Sequence, residues 1–128
     1  NAEDPWADFK PSPGRLTQMQ LPMGPGIRLD FGYLAGDSVP PYYDSMMGKL
    51  IVSGSDRQQA LERARRAFAE FRVEGVTTII PFHGAILARP EFTGTDQADF
   101  TVHTRWIDTN IQRLADETRA AEAARPAA

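Results

Sequence analysis

Cysteine is absent from this 128-residue chain, which removes disulfides, thiolate metal sites and a cysteine nucleophile from consideration. Lysine is scarce: Lys10 and Lys49 are the only two. The two histidines, His83 and His103, lie 20 positions apart. A metal site would need distant carboxylates to join them, whereas capping or ordinary hydrogen bonding needs nothing further. No apolar run approaches the roughly 20 residues that cross a bilayer, and the first residues lack the basic-then-apolar layout of a secretory leader. There is no excess of positive charge either, since the formal net charge is -3. Neither nucleic acid nor a membrane is therefore an expected partner. Neither a Gly-x-x-x-x-Gly-Lys phosphate loop nor a carboxylate cluster with metal-ligand spacing can be found. These absences, with 41% hydrophobic residues, describe one mildly acidic, cytoplasmic domain with a single core. The chain starts without Met on a segment dense in turn residues, and the expectation is a piece of a larger polypeptide.

Glycine and proline, by contrast, are abundant and unevenly placed: seven of the ten glycines and seven of the ten prolines precede position 55. That density suits short strands joined by tight turns. Arg15 to Leu21 alternates with an imperfect register, Ile27, Leu29 and Phe31 alternate cleanly, and Leu50-Ile51-Val52 is flanked by Gly48 and Gly54. These read as half-buried antiparallel strands. Ser55 and Gln58 have capping-box spacing, and Ala60, Leu61, Ala64, Ala67, Phe68 and Phe71 recur at helical period, which predicts a helix from about Asp56 to Phe71. Its other face carries Arg57, Arg63, Arg65 and Arg66 with Glu62 and Glu70; this reads as a solvated face, with Glu62 and Arg66 at i, i+4 spacing. Pro81 opens a short helix over Phe82 to Ala88 that stops before Pro90. A last helix begins near Thr104, with Ile107, Ile111 and Leu114 in phase. From Ala115 the chain turns alanine-rich, which predicts a frayed helix or linker.

The densest chemistry sits in Pro40-Pro41-Tyr42-Tyr43-Asp44-Ser45-Met46-Met47-Gly48-Lys49-Leu50-Ile51, a double proline followed by aromatic, acidic and thioether side chains at a strand entrance. Asp44 can cap its own turn, or it can hold a polar ligand or a catalytic cation. Tyr42 and Tyr43 can stack on a flat ligand or simply pack. Trp106 by itself reads as a core residue.

Together with Asn1-Ala2-Glu3-Asp4-Pro5 and Pro11-Ser12-Pro13-Gly14, this run resembles the C-terminal part of biotin carboxylase. Gly54-x-Asp56-Arg57 and Glu74-Gly75-Val76-Thr77-Thr78 extend the resemblance to about Asp108. Ile80-Pro81-Phe82-His83 and His103-Thr104-Arg105-Trp106 are most similar to actinobacterial acyl-CoA carboxylase α subunits. Ile79 departs from the family, many members of which carry Asn there. The resemblance implies that Tyr43 and Asp44 line a biotin pocket and that Asp44 is the catalytic acid that orients an arginine. In the family that arginine stands two residues before the Asn of Asn-Ala-Glu-Asp-Pro and stabilises the deprotonated ureido group. A carboxylate suits a planar two-pronged donor. The resemblance also puts Trp106 at the adenine edge and Arg28 near a homodimer interface, although Pro25 replaces an aromatic interface residue. It assigns biotin, ATP and Mg (or Mn) to the parent enzyme, with no metal ligand and no tight cofactor binding in this piece alone. The implied partners are an upstream ATP-grasp region, a biotin carrier domain and a carboxyltransferase subunit. Neither Lys10 nor Lys49 lies in the Met-Lys-Met-type setting of a biotinylated lysine.

The expected fold is α+β, an antiparallel, strand-rich, barrel-sandwich-like module packed against one long and two shorter helices. Residues 1–108 form the domain and 109–128 a helical or disordered linker tail. The expected parent activity is ATP-dependent ligation, carboxylating biotin within an acetyl-CoA, propionyl-CoA or related acyl-CoA carboxylase. The alternatives are the same domain from a pyruvate or urea carboxylase, or a non-catalytic dimerisation and interaction module.

Overall fold

The computed structural model describes residues 1–94, 96 and 100–123. The Gly-, Asp- and Thr-rich stretch from Thr93 to Asp99, which reads as a loop from its composition, lies largely outside the described residues, as does the end of the chain. Element order is β1 (Glu3–Asp4), β2 (Lys10–Pro11), β3 (Gly14–Arg15), β4 (Gln18–Gln20), β5 (Ile27–Phe31), β6 (Ser38–Val39), β7 (Gly48–Val52), α1 (Arg57–Glu70), β8 (Arg72–Glu74), α2 (Ile80–Ile86), α3 (Pro90–Thr93) and α4 (Trp106–Ala123). The strands pair antiparallel as β1–β2, β3–β6, β4–β8 and β5–β7. Among the described residues these remain four two-stranded ladders, and no closed barrel forms.

The longest ladder has the cleanest sequence pattern. Ile27, Leu29 and Phe31 are half-buried while Arg28 and Asp30 are exposed, and β5 faces β7 from Ile27 opposite Val52 to Phe31 opposite Gly48. The blurred register of Arg15 to Leu21 has a specific cause. Leu16 donates its backbone N–H to Asp37 at 2.8 Å, and Thr17 donates to Glu74 at 2.9 Å. Consecutive residues therefore serve different strands, and one predicted strand is two. Leu16, fully buried, marks the switch and packs with Ala2, Val39 and Met47.

Helix α1 begins one residue later than its capping-box spacing suggests. The Asp56 carboxylate accepts the Gln59 N–H at 2.8 Å, and the Gln59 side-chain carbonyl accepts the Ser55 N–H at 2.9 Å. An ionised carboxylate outcompetes a hydroxyl beside the positive end of a helix. The Glu62 and Arg66 pair does not form: Glu62 accepts from Gln58, and Arg66 approaches Glu70. Leu61 and Ala64 pack with Leu87, while Phe82, Trp106 and Leu114 knit α2 to α4. His83 stacks on Phe68 with ring centroids 5.3 Å apart, fastening α2 to α1.

Two long helices, not one, are present among the described residues, because α4 runs for 18 residues and packs on α2. Ala115 and Thr118 are buried on it, and the Thr118 hydroxyl donates to the Leu114 carbonyl at 2.7 Å. Large apolar anchors are unnecessary where small side chains let helices approach closely, which is why composition undervalued this stretch. The division at residues 108 and 109 falls inside α4.

Gly75 joins β8 to the following turn with φ +98°, and a Cβ there would collide with the Arg15 carbonyl oxygen. Gly75→Ala should cost about 2 to 4 kcal/mol, combining left-handed strain with a backbone clash, read as a lowered urea midpoint at constant slope. His83 provides a pH test. Burial holds its pKa below the ordinary value. The folded state thus keeps His83 neutral while the unfolded chain binds a proton near pH 6.5. Stability should be intact above that pH and decline as pH falls toward the lower folded value. His83→Gln should flatten this part of the stability–pH curve, measured by denaturant unfolding from pH 7.5 to 5.

Candidate functional site

Residues 40–47 connect β6 to β7 as an exposed loop pinned at both ends. Val39 and Met47 are buried, whereas Tyr42 and Tyr43 are 85% and 81% exposed. Pro40 and Pro41 restrict the backbone on the entry side, so the tyrosines are presented outward without cover. Asp44 is exposed too, and its Oδ1 accepts the Met46 N–H at 2.7 Å. This is the self-capping turn expected of a strand-entry aspartate. Among the described residues the other carboxylate oxygen has no protein donor, so capping the turn still leaves Asp44 able to receive an external cation.

The loop is fastened to the start of the chain. Ala2, itself fully buried, donates its N–H to the Ser45 carbonyl at 2.8 Å. The Ser45 hydroxyl donates to the Glu3 carboxylate, which also accepts from the Asn1 side-chain amide at 2.9 Å. The Glu3 and Ser45 contact bridges 42 positions; both residues lie within motifs visible in the sequence, but nothing in their spacing reveals that they meet.

A cavity of about 280 Å³ opens beside this loop, lined in part by Asp30, Tyr33, Met46 and Lys49. Behind it a second of about 350 Å³ is bounded by Asn1, Phe31, Phe68 and His83. A third cavity, about 390 Å³, lies between α1, α2 and α4 and is lined by neither Tyr43 nor Asp44. The exposed loop therefore forms one wall and no enclosed pocket.

Other residues singled out from the sequence are dispersed. Arg28 lies on the outward face of β5, 73% exposed, in a two-pronged contact with Asp30 at 2.9 and 2.8 Å. These hydrogen bonds raise the Arg28 pKa and hold the Asp30 carboxyl below its usual value. Trp106 is 5% exposed and packs with Phe82 and Leu114. His103 Nδ1 accepts the Arg105 N–H, an ordinary capping contact. Among the described residues, no three His, Cys, Asp or Glu side chains converge to hold a metal ion, and no helix is long and apolar enough to cross a membrane.

The arginine face of α1 is not simply a solvated stripe. Arg57 donates to the Phe92 carbonyl, Arg63 to Ser53 at 2.7 Å, and Arg65 to Leu87 through both Nε and a terminal nitrogen. Arg57 also lies against the Phe92 and Phe100 rings, 5.1 and 4.9 Å from their centroids. Three of the four cations clasp main-chain oxygens of neighbouring segments. The sequence shows the arginines but not the carbonyls that lack intrahelical partners.

Residues 1–109 match the model of the biotin carboxylase C-terminal domain family. The chain is 51% identical over 109 residues to the biotin-dependent acyl-coenzyme A carboxylase alpha3 subunit of Mycobacterium leprae, covering 85% of this chain and 18% of that protein. It is 45% identical over 119 residues to a pyruvate carboxylase subunit of Methanothermobacter thermautotrophicus, covering 93% of this chain and 23% of that protein. Among solved structures, the biotin carboxylase domain dimer of Hydrogenobacter thermophilus 2-oxoglutarate carboxylase, in complex with MgADP, ADP and bicarbonate, superposes with a TM-score of 0.82 at 34% identity. That match covers 91% of this chain and 24% of the other. The chain thus spans about a fifth of the length of these curated relatives. By the extent of the family match, and by an antiparallel α+β fold shared with its relatives, this chain belongs to the biotin carboxylase C-terminal domain family.

Proposed function

We propose that this domain is part of an ATP-dependent biotin carboxylase in an acyl-CoA carboxylase, and that the loop around Tyr43 and Asp44 supplies one wall of its biotin site. The observation that carries this reading is the exposed Asp44 carboxylate, with one oxygen spent on its own turn and its loop fastened to the first residues through the Ala2 N–H and the Ser45 carbonyl. The family's ureido-stabilising arginine would stand two residues before Asn1. Asp44 would orient that guanidinium, leaving its positive face toward the ring oxygen where negative charge develops. Tyr43, broadly exposed, would lie along the ligand's apolar edge.

ATP and Mg or Mn would be held by an upstream ATP-grasp region, where they would activate bicarbonate. The nucleotide and metal ligands would thus belong to that upstream region, and the domain alone would be inactive. The segment around Trp106 would border the adenine, with the buried ring serving as its anchor in the core. Arg28, held flat by Asp30 on an exposed ladder, would meet a second copy in a homodimer. A biotin carrier domain and a carboxyltransferase subunit would complete a cytoplasmic assembly devoted to fatty-acid or related acyl metabolism. Residues 1–108 would form the domain, with its ladders completing a barrel-sandwich in the parent; 109–128 would lead on from it. Resemblance to the acyl-CoA carboxylase α subunit favours an acyl-CoA acceptor over pyruvate.

In the complete polypeptide, Asp44→Asn should lower the rate of free-biotin carboxylation by about 10- to 100-fold, the range typical of a partner that orients a functional group. Bicarbonate-dependent ATP cleavage measured without biotin should change little. An unaltered carboxylation rate would remove Asp44 from this role.

A further inference from the structure

The turn from Pro5 to Phe9 is backbone-strained, clamped from two sides, and joined directly to the strand that holds the Asp44 loop. Asp8 and Phe9 adopt φ of 54° and 55°, a region that aspartate tolerates and a bulky phenylalanine seldom enters. Such strain persists only where the surroundings over-determine it. From α2, Phe82 meets Phe9 edge-to-face at 5.0 Å between centroids. From α4, the Arg119 guanidinium lies 5.0 Å from the centre of the Trp6 ring, with Asp116 3.9 Å from the same guanidinium. Arg119 lies beyond the residues matched to the family.

The connection onward is covalent and short. Asp4 caps the turn by accepting the Trp6 N–H at 2.8 Å and belongs to β1. From that strand and its preceding residue come the Glu3 contact to the Ser45 hydroxyl and the Ala2 N–H donated to the Ser45 carbonyl. The distal half of α4 is itself well seated: Leu114 and Thr118 are buried, and Glu117 accepts from Arg89 at 2.8 and 2.9 Å.

We infer that Arg119 and Trp6 are positioning residues that act through the strained Asp8-Phe9 turn and β1 to hold the Asp44 loop in its biotin-facing conformation. The biotin-facing part rests on the function proposed above; the mechanical coupling does not. Residues 109–120 are then a brace and not a free tether.

The test compares Arg119→Ala, Arg119→Lys and Trp6→Phe with Arg113→Ala, whose side chain faces Glu91 and Asn110 instead. Amide hydrogen exchange in the full chain should quicken about two- to fivefold at Ala2 and Met46 in Arg119→Ala, the factor expected for loss of an exposed cation–π contact. Amides of α1 should keep their protection, Arg119→Lys and Trp6→Phe should recover most of the loss, and Arg113→Ala should leave Ala2 and Met46 unchanged. In the complete carboxylase, Arg119→Ala should raise KM for free biotin by a similar factor with kcat nearly constant. Unchanged exchange at Ala2 and Met46, or equal acceleration in α1, overturns the coupling. Altered exchange with unchanged KM overturns the positioning role. The exchange measurement decides the coupling even if Asp44→Asn proves silent in carboxylation.

Discussion

The union of the first residues with the Tyr42 to Met46 loop is the constraint on which the candidate site depends. Ala2 is fully buried and gives its N–H to Ser45, so the site-bearing loop is registered against β1 by a main-chain bond shielded from water. A buried amide left without its acceptor would cost on the order of 1 to 3 kcal/mol, which makes this register hard to slip. Asp44 then needs no enclosing pocket of its own to be placed reproducibly. Met47, buried on one side of the loop, and the proline pair on the other remove most of the remaining freedom.

Local patterns in the sequence were informative wherever one segment answers to one partner. Ile27 to Phe31 alternates because β5 faces a single strand, and α1 shows its apolar period because one side packs while the other is exposed. The pattern failed where consecutive residues answer to different partners, as Leu16 and Thr17 do, and in strands of two residues, too short to display a period. In the tail after Leu114, read as a frayed helix or linker, the helix is present, but its packing was not legible, since alanine and threonine carry little hydrophobic signal yet fill a close helix contact. At the site, Asp44 and Tyr43 were legible as chemistry and their exposure followed from the prolines. The Glu3 and Ser45 contact was not, because no local rule connects residues so far apart. The surroundings of Trp106 and Arg28 were likewise set by packing and by a strand neighbour, Asp30, that the clean alternation had already put on the same face.

Arginine accounts for much of the cohesion between segments. Arg57, Arg63 and Arg65 reach from one helix to main-chain oxygens after β7, after α2 and within α3. Arg89 bridges Glu91 and Glu117, and Arg113 adds a second cation to Glu91, whose carboxyl falls to about 2 under its backbone and arginine hydrogen bonds. Guanidinium forks can serve two acceptors at once, which a compact ammonium does poorly. The scarcity of lysine is consistent with a chain whose cations act as connectors as well as surface charge.

The division of the β structure into four separate two-stranded ladders has one more consequence. Among the described residues every one of the eight strands is an edge of its two-stranded ladder. Open edges invite pairing with other chains unless they are short, charged, interrupted by proline or covered. Here no described strand exceeds five residues, β2 ends on Pro11, and the longest ladder displays Arg28, Asp30 and Lys49. The fragmentation that made this half of the molecule hard to read from its sequence is also what denies a misfolding neighbour a template long enough to extend.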